Sequence, residues 1–148
     1  MSLEEKNKAI ILSLYEADNK KDLSILDEVI SPDFCDPSFN LQGAEGYKQF
    51  ELAFFKGFPD WIENVEDIIA EGDKVWVRFT ATGTHKGEWL GLAPTGKKVT
   101  TKAVQIWRLI NGKVVAKDTI MDSLDTFIKL GIIKYTEKAK EFALFNAT

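Results

Sequence analysis

The sequence predicts an α+β fold in which a curved antiparallel sheet wraps around N-terminal helices to form a cone with an internal pocket. Apolar residues recur at helical spacing up to about residue 57, whereas from Trp61 onwards the alternation approaches a period of two. Two turn sequences, Glu71-Gly72-Asp73-Lys74 and Asn111-Gly112, divide this second half into long hairpins. Helices that precede the strands pack together on one face of such a sheet.

Three helices are predicted before the sheet. The first runs from Ser2 to about Asp18, and Ser2 with Glu5 has the spacing of a capping box. A second, short helix starts at Asp22 and ends before Ser31-Pro32, because the residue before a proline disfavours helical geometry. The third covers about residues 44–56, and its inner face is predicted to carry Tyr47, Phe50, Ala53 and Phe54.

The strands follow from the turns. A short strand is expected at DFCDP, and strands near residues 62–70 and 75–84 flank the first turn. If Gly72 and Asp73 are its central residues, Asp67 lies opposite Arg78. The loop HKGEWLGLAPTGKK leads to strands at 99–109 and 113–122, and helices are expected at 123–130 and 134–145.

Size and composition indicate one ordinary globular domain. The chain has 148 residues, of which 45% are hydrophobic and 28% charged, and a net charge of −4. Acidic and basic residues are interleaved rather than gathered in a basic stripe, so we expect no nucleic-acid partner. The sequence has neither a signal-peptide pattern nor a membrane-spanning apolar run. We therefore expect a cytoplasmic protein that does not bind a membrane.

Counting the reactive residues narrows the chemistry. The only cysteine is Cys35 and the only histidine is His85, so neither an internal disulfide nor a multi-histidine metal site is expected. The sequence has no glycine-rich phosphate-binding motif and no nucleophile-elbow motif. We therefore expect no cofactor and no metal, and any enzymatic activity would depend on acids, bases and a shaped pocket.

The second turn predicts which side chains share a face. With a two-residue loop at Asn111-Gly112, Ile110 pairs with Lys113, and an uninterrupted register continues from there. One face then carries Trp107, Gln105, Ala103 and Thr101 opposite Ala116, Asp118, Ile120 and Asp122. This face combines an aromatic ring, an amide and two carboxylates, but a slip of one residue would break the grouping.

Two carboxylates on this face are candidate acids and bases. Asp122, if desolvated in a pocket lined by Trp107, would have a raised pKa and serve as a general base. Asp122 also directly precedes a predicted helix, so it is equally suited to cap that helix. Asp118 is either a second acid that Gln105 keeps ionised or a solvent-facing residue near the mouth of the cone.

Other candidates come with a structural alternative. His85 would orient a carbonyl or act as a second acid/base, unless it only supports its loop. Trp107 would stack on a ring-shaped ligand, Trp89 would cover the pocket mouth or pack on a neighbouring subunit, and Tyr15 would reach the pocket with its hydroxyl or stay in the core. The same choice, cavity lining or core, is open for Phe50, Phe54, Phe55 and Phe58.

Several segments resemble the SnoaL-like polyketide cyclases, or ester cyclases, of the nuclear-transport-factor-2-like superfamily. The resemblance rests on LDEVISPDF, GAEGYKQF, AEGDKVWVRFTATGTHKGEWLGLAPTGKKV and QIWRLINGKVV…DSLDTFIKLG, and it covers about residues 7–131 of the single domain 1–148. Residues 132–148 are then a helical extension. The resemblance implies a cone-shaped α+β fold, a homodimer or larger assembly, and a cofactor-free intramolecular aldol cyclisation with Asp122 as acid/base.

The sequence departs from the family pattern at three positions. Ala116 and Asp118 stand where the family has glutamate and tryptophan, and Asp36-Pro37 stands where an Asp-His pair is common after the first strand. Asp36 remains a candidate for substrate binding. The leading hypothesis is a cyclase, isomerase or lyase acting on a small carbonyl or ester substrate. The alternatives are a non-catalytic protein that binds a small apolar ligand, and a hydrolase of a small electrophile.

Overall fold

The computed structural model describes residues 1–142. Its helices are α1 (Leu3–Lys20), α2 (Leu26–Val29), α3 (Gly43–Gly57), α4 (Leu124–Lys129) and α5 (Glu137–Lys140). Its strands are β1 (Ile30–Asp36), β2 (Leu41–Gln42), β3 (Ile62–Glu71), β4 (Lys74–Thr84), β5 (Lys98–Ile110) and β6 (Lys113–Asp122). In the described part of the chain, no helix has the length and apolar character needed to cross a membrane.

Six strands form one curved, unclosed sheet in the order β2-β1-β6-β5-β4-β3. Helix α1 packs against β3 and β4, and α3 packs against β1, so both helices cover the inner face of the sheet. The predicted α+β fold is therefore confirmed. One edge differs from the prediction: β1 pairs parallel to β6, so the sheet is mixed rather than purely antiparallel.

Helix α1 begins as predicted. Ser2 Oγ accepts a hydrogen bond from Glu5 N (3.1 Å), and Glu5 Oε2 accepts one from Ser2 N (2.7 Å), which completes the capping box. The helix ends at Lys21, whose backbone is left-handed with φ of 58°. Its buried face carries polar as well as apolar residues: Asn7, Ile11, Leu14, Tyr15, Ala17 and Asp18.

The first hairpin has the predicted register at its turn. Asp67 pairs with Arg78, and the Arg78 guanidinium lies 2.6 Å from Asp67 Oδ2 on the outer face. A β-bulge then follows between Val65 and Asp67, and it brings Glu63 and Val65 to the inner face opposite Ala81 and Phe79.

The second hairpin follows the predicted register only next to its turn. Leu109 pairs with Val114, but Arg108 pairs with Ala116, because Val115 forms a β-bulge in β6. Beyond the bulge Lys117 lies opposite Trp107, whereas Asp118 lies opposite Ile106 on the outer face. The prediction that Asp118 and Asp122 share a face with Trp107 and Gln105 is therefore wrong, since one extra residue reverses the alternation.

Smaller corrections concern the element ends. The second helix is shorter than predicted, and Ser31-Pro32 lies inside β1 instead of separating helix from strand. Ala53 is exposed, and Glu51 occupies the buried face of α3 instead. Of the predicted helix at 134–145, only α5 forms in the described residues, and positions 143–148 lie outside them.

The loop between β4 and β5 is tied to the end of α3 through its backbone. The N–H groups of Lys86 and Gly87 both donate to the carbonyl oxygen of Gly57, at 2.9 and 3.1 Å. A Cβ atom added at Gly87 would lie only 2.0 Å from the backbone oxygen of Lys56, so no larger residue fits there without moving the loop. This attachment holds Trp89 and Leu90 over the inner face of the sheet.

We expect Gly87→Ala to destabilise the protein, because the new methyl group would separate the loop from α3. Gly46→Ala is the matched control: Gly46 lies within α3 and has open space around its Cβ position, so alanine should raise the free energy of unfolding by up to about 1 kcal/mol. Urea unfolding measures both changes. Equal stabilities for the two variants would show that the loop is not held as described.

Candidate active site

A cavity of about 240 Å³ lies between the helices and the inner face of the sheet. It is lined by Phe39, Phe50, Glu51, Phe54, Phe58, Trp61, Glu63, Phe79, Trp89, Leu90, Val99, Thr101, Gln105, Lys117, Met121, Ser123, Thr126 and Phe127. Two groups stand out among these residues. One is aromatic, and the other combines carboxylates with an amide and an ammonium group.

The aromatic group, which we call the aromatic wall, consists of Phe50, Phe54, Phe58, Trp61 and Trp89. The Phe54 ring centroid lies 4.8 Å from that of Trp61 and 5.1 Å from that of Phe58. Phe58 also contacts Trp89, with a centroid distance of 5.4 Å. The structure thus places Phe50, Phe54 and Phe58 in the cavity lining, while Phe55 lies under the Lys21 ammonium group at 4.5 Å.

Glu51 is a buried carboxylate whose pKa lies near neutral pH. It lies one helical turn after buried Tyr47 on α3, so the helix carries it to the inner face, where it is only 8% exposed. The pKa of Glu51 is raised to about 7, chiefly because burial disfavours its charged form; the ammonium group of Lys117 lowers this pKa, the charge of Glu63 raises it and Lys21 lowers it. At neutral pH this group is present in both its acidic and its basic form.

Asp18 and Glu63 complete a carboxylate cluster with Glu51. Burial raises the pKa of Asp18 well above its usual range, and the charges of Glu51 and Glu63 add to this effect. Asp18 Oδ1 has no hydrogen-bond partner among residues 1–142. Burial also raises the pKa of Glu63, whose Oε1 accepts a hydrogen bond from Trp61 Nε1 (3.3 Å).

Lys117 supplies the cation beside these carboxylates. The bulge at Val115 turns its side chain inwards, where it is 2% exposed, and Nζ lies 3.3 Å from Oδ2 of the fully buried Asp36. The ammonium group also faces the rings of Tyr47 and Trp107, at 4.5 and 5.2 Å from their centroids. A buried ammonium needs such compensation, and this arrangement leaves donors free for a ligand.

Gln105 is held in place by Tyr15, whose hydroxyl donates to Gln105 Oε1. Burial raises the pKa of Tyr15, so the hydroxyl keeps its proton and remains a donor. Because Oε1 is occupied, the amide nitrogen is the group that Gln105 presents to the cavity. Tyr15 therefore acts through Gln105 and does not itself line the cavity.

The substrate-contacting candidates from the sequence fall into two sets. Gln105 and Trp89 line the cavity, as the sequence predicts for pocket residues. Trp107 and Asp36 lie behind Lys117: the first stacks against its ammonium group and the second pairs with it. Contact of these two with a ligand stays a prediction that the cavity lining does not support.

Three predicted catalytic residues lie away from the cavity lining. Asp118 is exposed and accepts a hydrogen bond from Ser38 Oγ (2.7 Å), and Asp122 is exposed opposite Lys102. Helix α4 takes Ser123 as its N-cap, without a side-chain hydrogen bond. His85 is fully buried: its Nδ1 accepts from Thr95 N (3.2 Å) and its ring stacks on Phe58 (5.2 Å). His85 thus supports the aromatic wall from behind.

The sequence-based reasoning missed Asp18, Glu51, Glu63 and Lys117. Two of them carry a detectable signal, because Asp18 follows Leu14 by four residues and Glu51 follows Tyr47 by four, so each charge continues an apolar helical face. Residues 1–142 contain no group of three or more His, Cys, Asp or Glu side chains placed to hold a metal ion.

We expect Lys117→Met to destabilise the protein by about 3–5 kcal/mol, because Asp36 would be left as a buried charge without a partner. Replacing both partners, as in the double variant K117M/D36N, should cost less than Lys117→Met alone. Lys48→Met is the control, since its ion pair with exposed Asp27 is worth at most about 1 kcal/mol. Urea unfolding of the four proteins tests this, and similar losses for Lys117→Met and Lys48→Met would contradict it.

Comparison with known proteins agrees with this architecture. AclR from Streptomyces galilaeus, a candidate hydroxylase, is 32% identical, with a TM-score of 0.79 over 88% of this chain and 99% of that one. A SnoaL-like candidate polyketide cyclase from Jannaschia sp. CCS1 is 25% identical, with a TM-score of 0.82 over 90% and 97%. IdmH from Streptomyces antibioticus, a candidate polyketide cyclase, is 32% identical, with a TM-score of 0.72 over 84% and 98%.

No curated protein sequence matches the chain. The sequence profile of one family does match it, over residues 9–130, which is most of the described part and includes every residue of the carboxylate cluster as well as Lys117. The resemblance seen in the sequence is thereby confirmed, and the chain belongs to the SnoaL-like polyketide cyclase family.

Proposed function

We propose that the protein is a cofactor-free acid/base enzyme that removes a proton from a carbon next to a carbonyl group, as the first step of an aldol cyclisation or isomerisation. The observation that carries the proposal is Glu51, a buried carboxylate with a pKa of about 7 that lines an apolar cavity beside Lys117. A general base is most effective when its pKa lies near the working pH.

In the proposed reaction the Glu51 carboxylate takes the proton, and the electron pair of the C–H bond moves to the carbonyl oxygen to give an enolate. The ammonium group of Lys117 and the amide N–H of Gln105 stabilise the negative oxygen. In a cyclisation the enolate carbon attacks a second carbonyl of the same molecule, and protonated Glu51 returns its proton to the new alkoxide. No group outside the chain and its substrate is needed for this balance.

The raised pKa values within the carboxylate cluster lessen its repulsion of a negative intermediate. Fully ionised Asp18 and Glu63 would repel an enolate, but burial raises the pKa of both carboxyl groups, which makes their charged forms less favourable than in water. Lys117, the cation among the described residues that line the cavity, then dominates the field at the carbonyl oxygen. The aromatic wall holds the apolar part of the substrate and excludes water.

A non-catalytic binding role is the second candidate, and the aromatic wall favours it, since five rings are more than proton transfer requires. The two functions differ in one measurable property. A binding protein retains an enolisable ligand unchanged, whereas an enzyme with a general base exchanges the protons next to its carbonyl with solvent.

We expect the protein to accelerate deuterium exchange next to the carbonyl of 2-tetralone in heavy water, above the rate in buffer, as followed by NMR. Glu51→Gln should lower the protein-dependent rate by a factor of about 10²–10⁴. The rate should fall as the pH drops below about 7, because protonated Glu51 accepts no proton, and should level off above that pH.

Glu45→Gln is the matched control, because Glu45 lies on the exposed side of the same helix. The variant Asp122→Asn decides between the two candidate bases. Loss of exchange in Asp122→Asn with full activity in Glu51→Gln would contradict the role of Glu51 and support the base predicted from the sequence. A wild-type protein that binds 2-tetralone without exchanging it would favour the binding role.

We also propose that two copies of the chain associate through the outer face of the sheet. Exposed apolar side chains on the neighbouring strands β3 and β4, at one edge of the sheet, form its apolar part, with Ile69 67% and Trp76 45% exposed. Arg78 and Lys102 lie among Glu66, Asp67, Asp118 and Asp122 on the same face, so charges of both signs are present. A two-fold interface needs such self-complementarity.

We expect Trp76→Glu to convert a dimer into a monomer, because it would bury unpaired carboxylates in the apolar part of the interface. Leu52→Glu is the control, since Leu52 is 54% exposed on α3, away from the sheet. Sedimentation velocity at several protein concentrations measures the change. A wild-type monomer at all concentrations, or a Trp76→Glu dimer, would contradict the proposed interface.

A further inference from the structure

We infer that the site takes a neutral, compact ketone of one or two rings, and that it rejects three or more fused rings. Because it concerns the substrate class of the proposed enzyme, this inference rests on the proposed function. The size limit itself concerns binding, and it is tested independently of turnover.

The volume of the cavity sets the size. A dry cavity of roughly 150 Å³ holds one benzene ring in a well-studied engineered protein. The present cavity of about 240 Å³ adds space for a second ring or a short side chain, but not for two further fused rings.

The aromatic wall cannot move back to admit a larger ligand. Trp89 and Trp61 already press against backbone: a Cβ atom at Gly57 would lie 2.8 Å from Trp89 Cβ, and one at Gly83 would lie 2.7 Å from Trp61 Cε3. Behind Phe58 stacks the buried His85 ring. Close-packed interiors of this kind yield little, because each displaced ring would displace its neighbours.

The polar side of the cavity is equally fixed. Lys117 is held by Asp36 and two aromatic rings, and Gln105 is held by Tyr15. The lining residues with high exposure are Leu90 and Met121, so a long ligand could extend only past these two into solvent. A fused-ring ligand that extended past these two residues would lose part of its apolar contact with the aromatic wall.

The charges favour a neutral ligand with its carbonyl at the polar side. Lys117, the cation among the described lining residues, is already paired with Asp36, so a carboxylate on the ligand would lose its hydration in a largely apolar cavity without a second cation to compensate it. A carbonyl oxygen needs only donors, which Lys117 and Gln105 supply. The ring then lies on the aromatic wall, and this arrangement fixes which end of the molecule reaches Glu51.

The test compares 2-tetralone, with two fused rings, and anthrone, with three, by isothermal titration of the purified protein. We expect 2-tetralone to bind at least about tenfold more tightly than anthrone. Phe50→Ala enlarges the cavity, so it should weaken 2-tetralone binding, strengthen anthrone binding and reverse or erase the preference. Leu52→Ala, on the exposed side of the same helix, should leave both affinities unchanged.

Glu51→Gln separates this inference from the proposed function. If the variant and the wild type both bind 2-tetralone with the expected preference, the size limit stands even where no deuterium exchange occurs, and only the proposed chemistry fails. If anthrone binds the wild type as tightly as 2-tetralone does, or if neither compound binds, the inference is overturned whatever the exchange rate is.

Discussion

One extra residue in β6 decides which charges the cavity contains. The bulge at Val115 turns Lys117 towards the helices and places Asp118 and Asp122 on the outer face. Without it, two carboxylates instead of an ammonium group would join Glu51 and Glu63 in a closed space, and nothing there would compensate them. The buried Lys117–Asp36 pair and the pKa of Glu51, which Lys117 lowers, both depend on this local interruption of the strand.

The cavity combines groups that ordinarily exclude one another. Burial alone would neutralise three carboxylates and release protons from a lone ammonium. Here the positive charge of Lys117 lowers the pKa of Glu51, whereas the burial of Glu51 raises it. The result is a carboxyl group whose two states are nearly equal in free energy at neutral pH, next to a cation that a developing negative charge can use.

Much of the fold was predictable because its signals are local. The capping box at Ser2, the turn at Gly72-Asp73 and the pairing of Asp67 with Arg78 each depend on residues a few positions apart. The candidate site was not predictable from the sequence. It depends on a β-bulge that no turn sequence marks, and on charged residues that lie within otherwise apolar helical faces. Apolar character alone predicts Ala53 on the inner face of α3, whereas Ala53 is exposed and the charged Glu51 is buried there.

The departures from the family pattern are also easier to understand from the structure. Ala116 and Asp118 lie on the outer face, so their substitution leaves the cavity unchanged, whereas Lys117 between them faces inwards. Asp36 keeps its position and has become the counterion of Lys117. The sequence thus differs from the pattern at positions outside the cavity lining, whereas Glu51 and Lys117, the pair on which the proposed function rests, lie in the lining and come from α3 and β6. Strand position alone therefore does not tell which side chains of β6 line the cavity, because the bulge separates sequence position from the face that a side chain occupies.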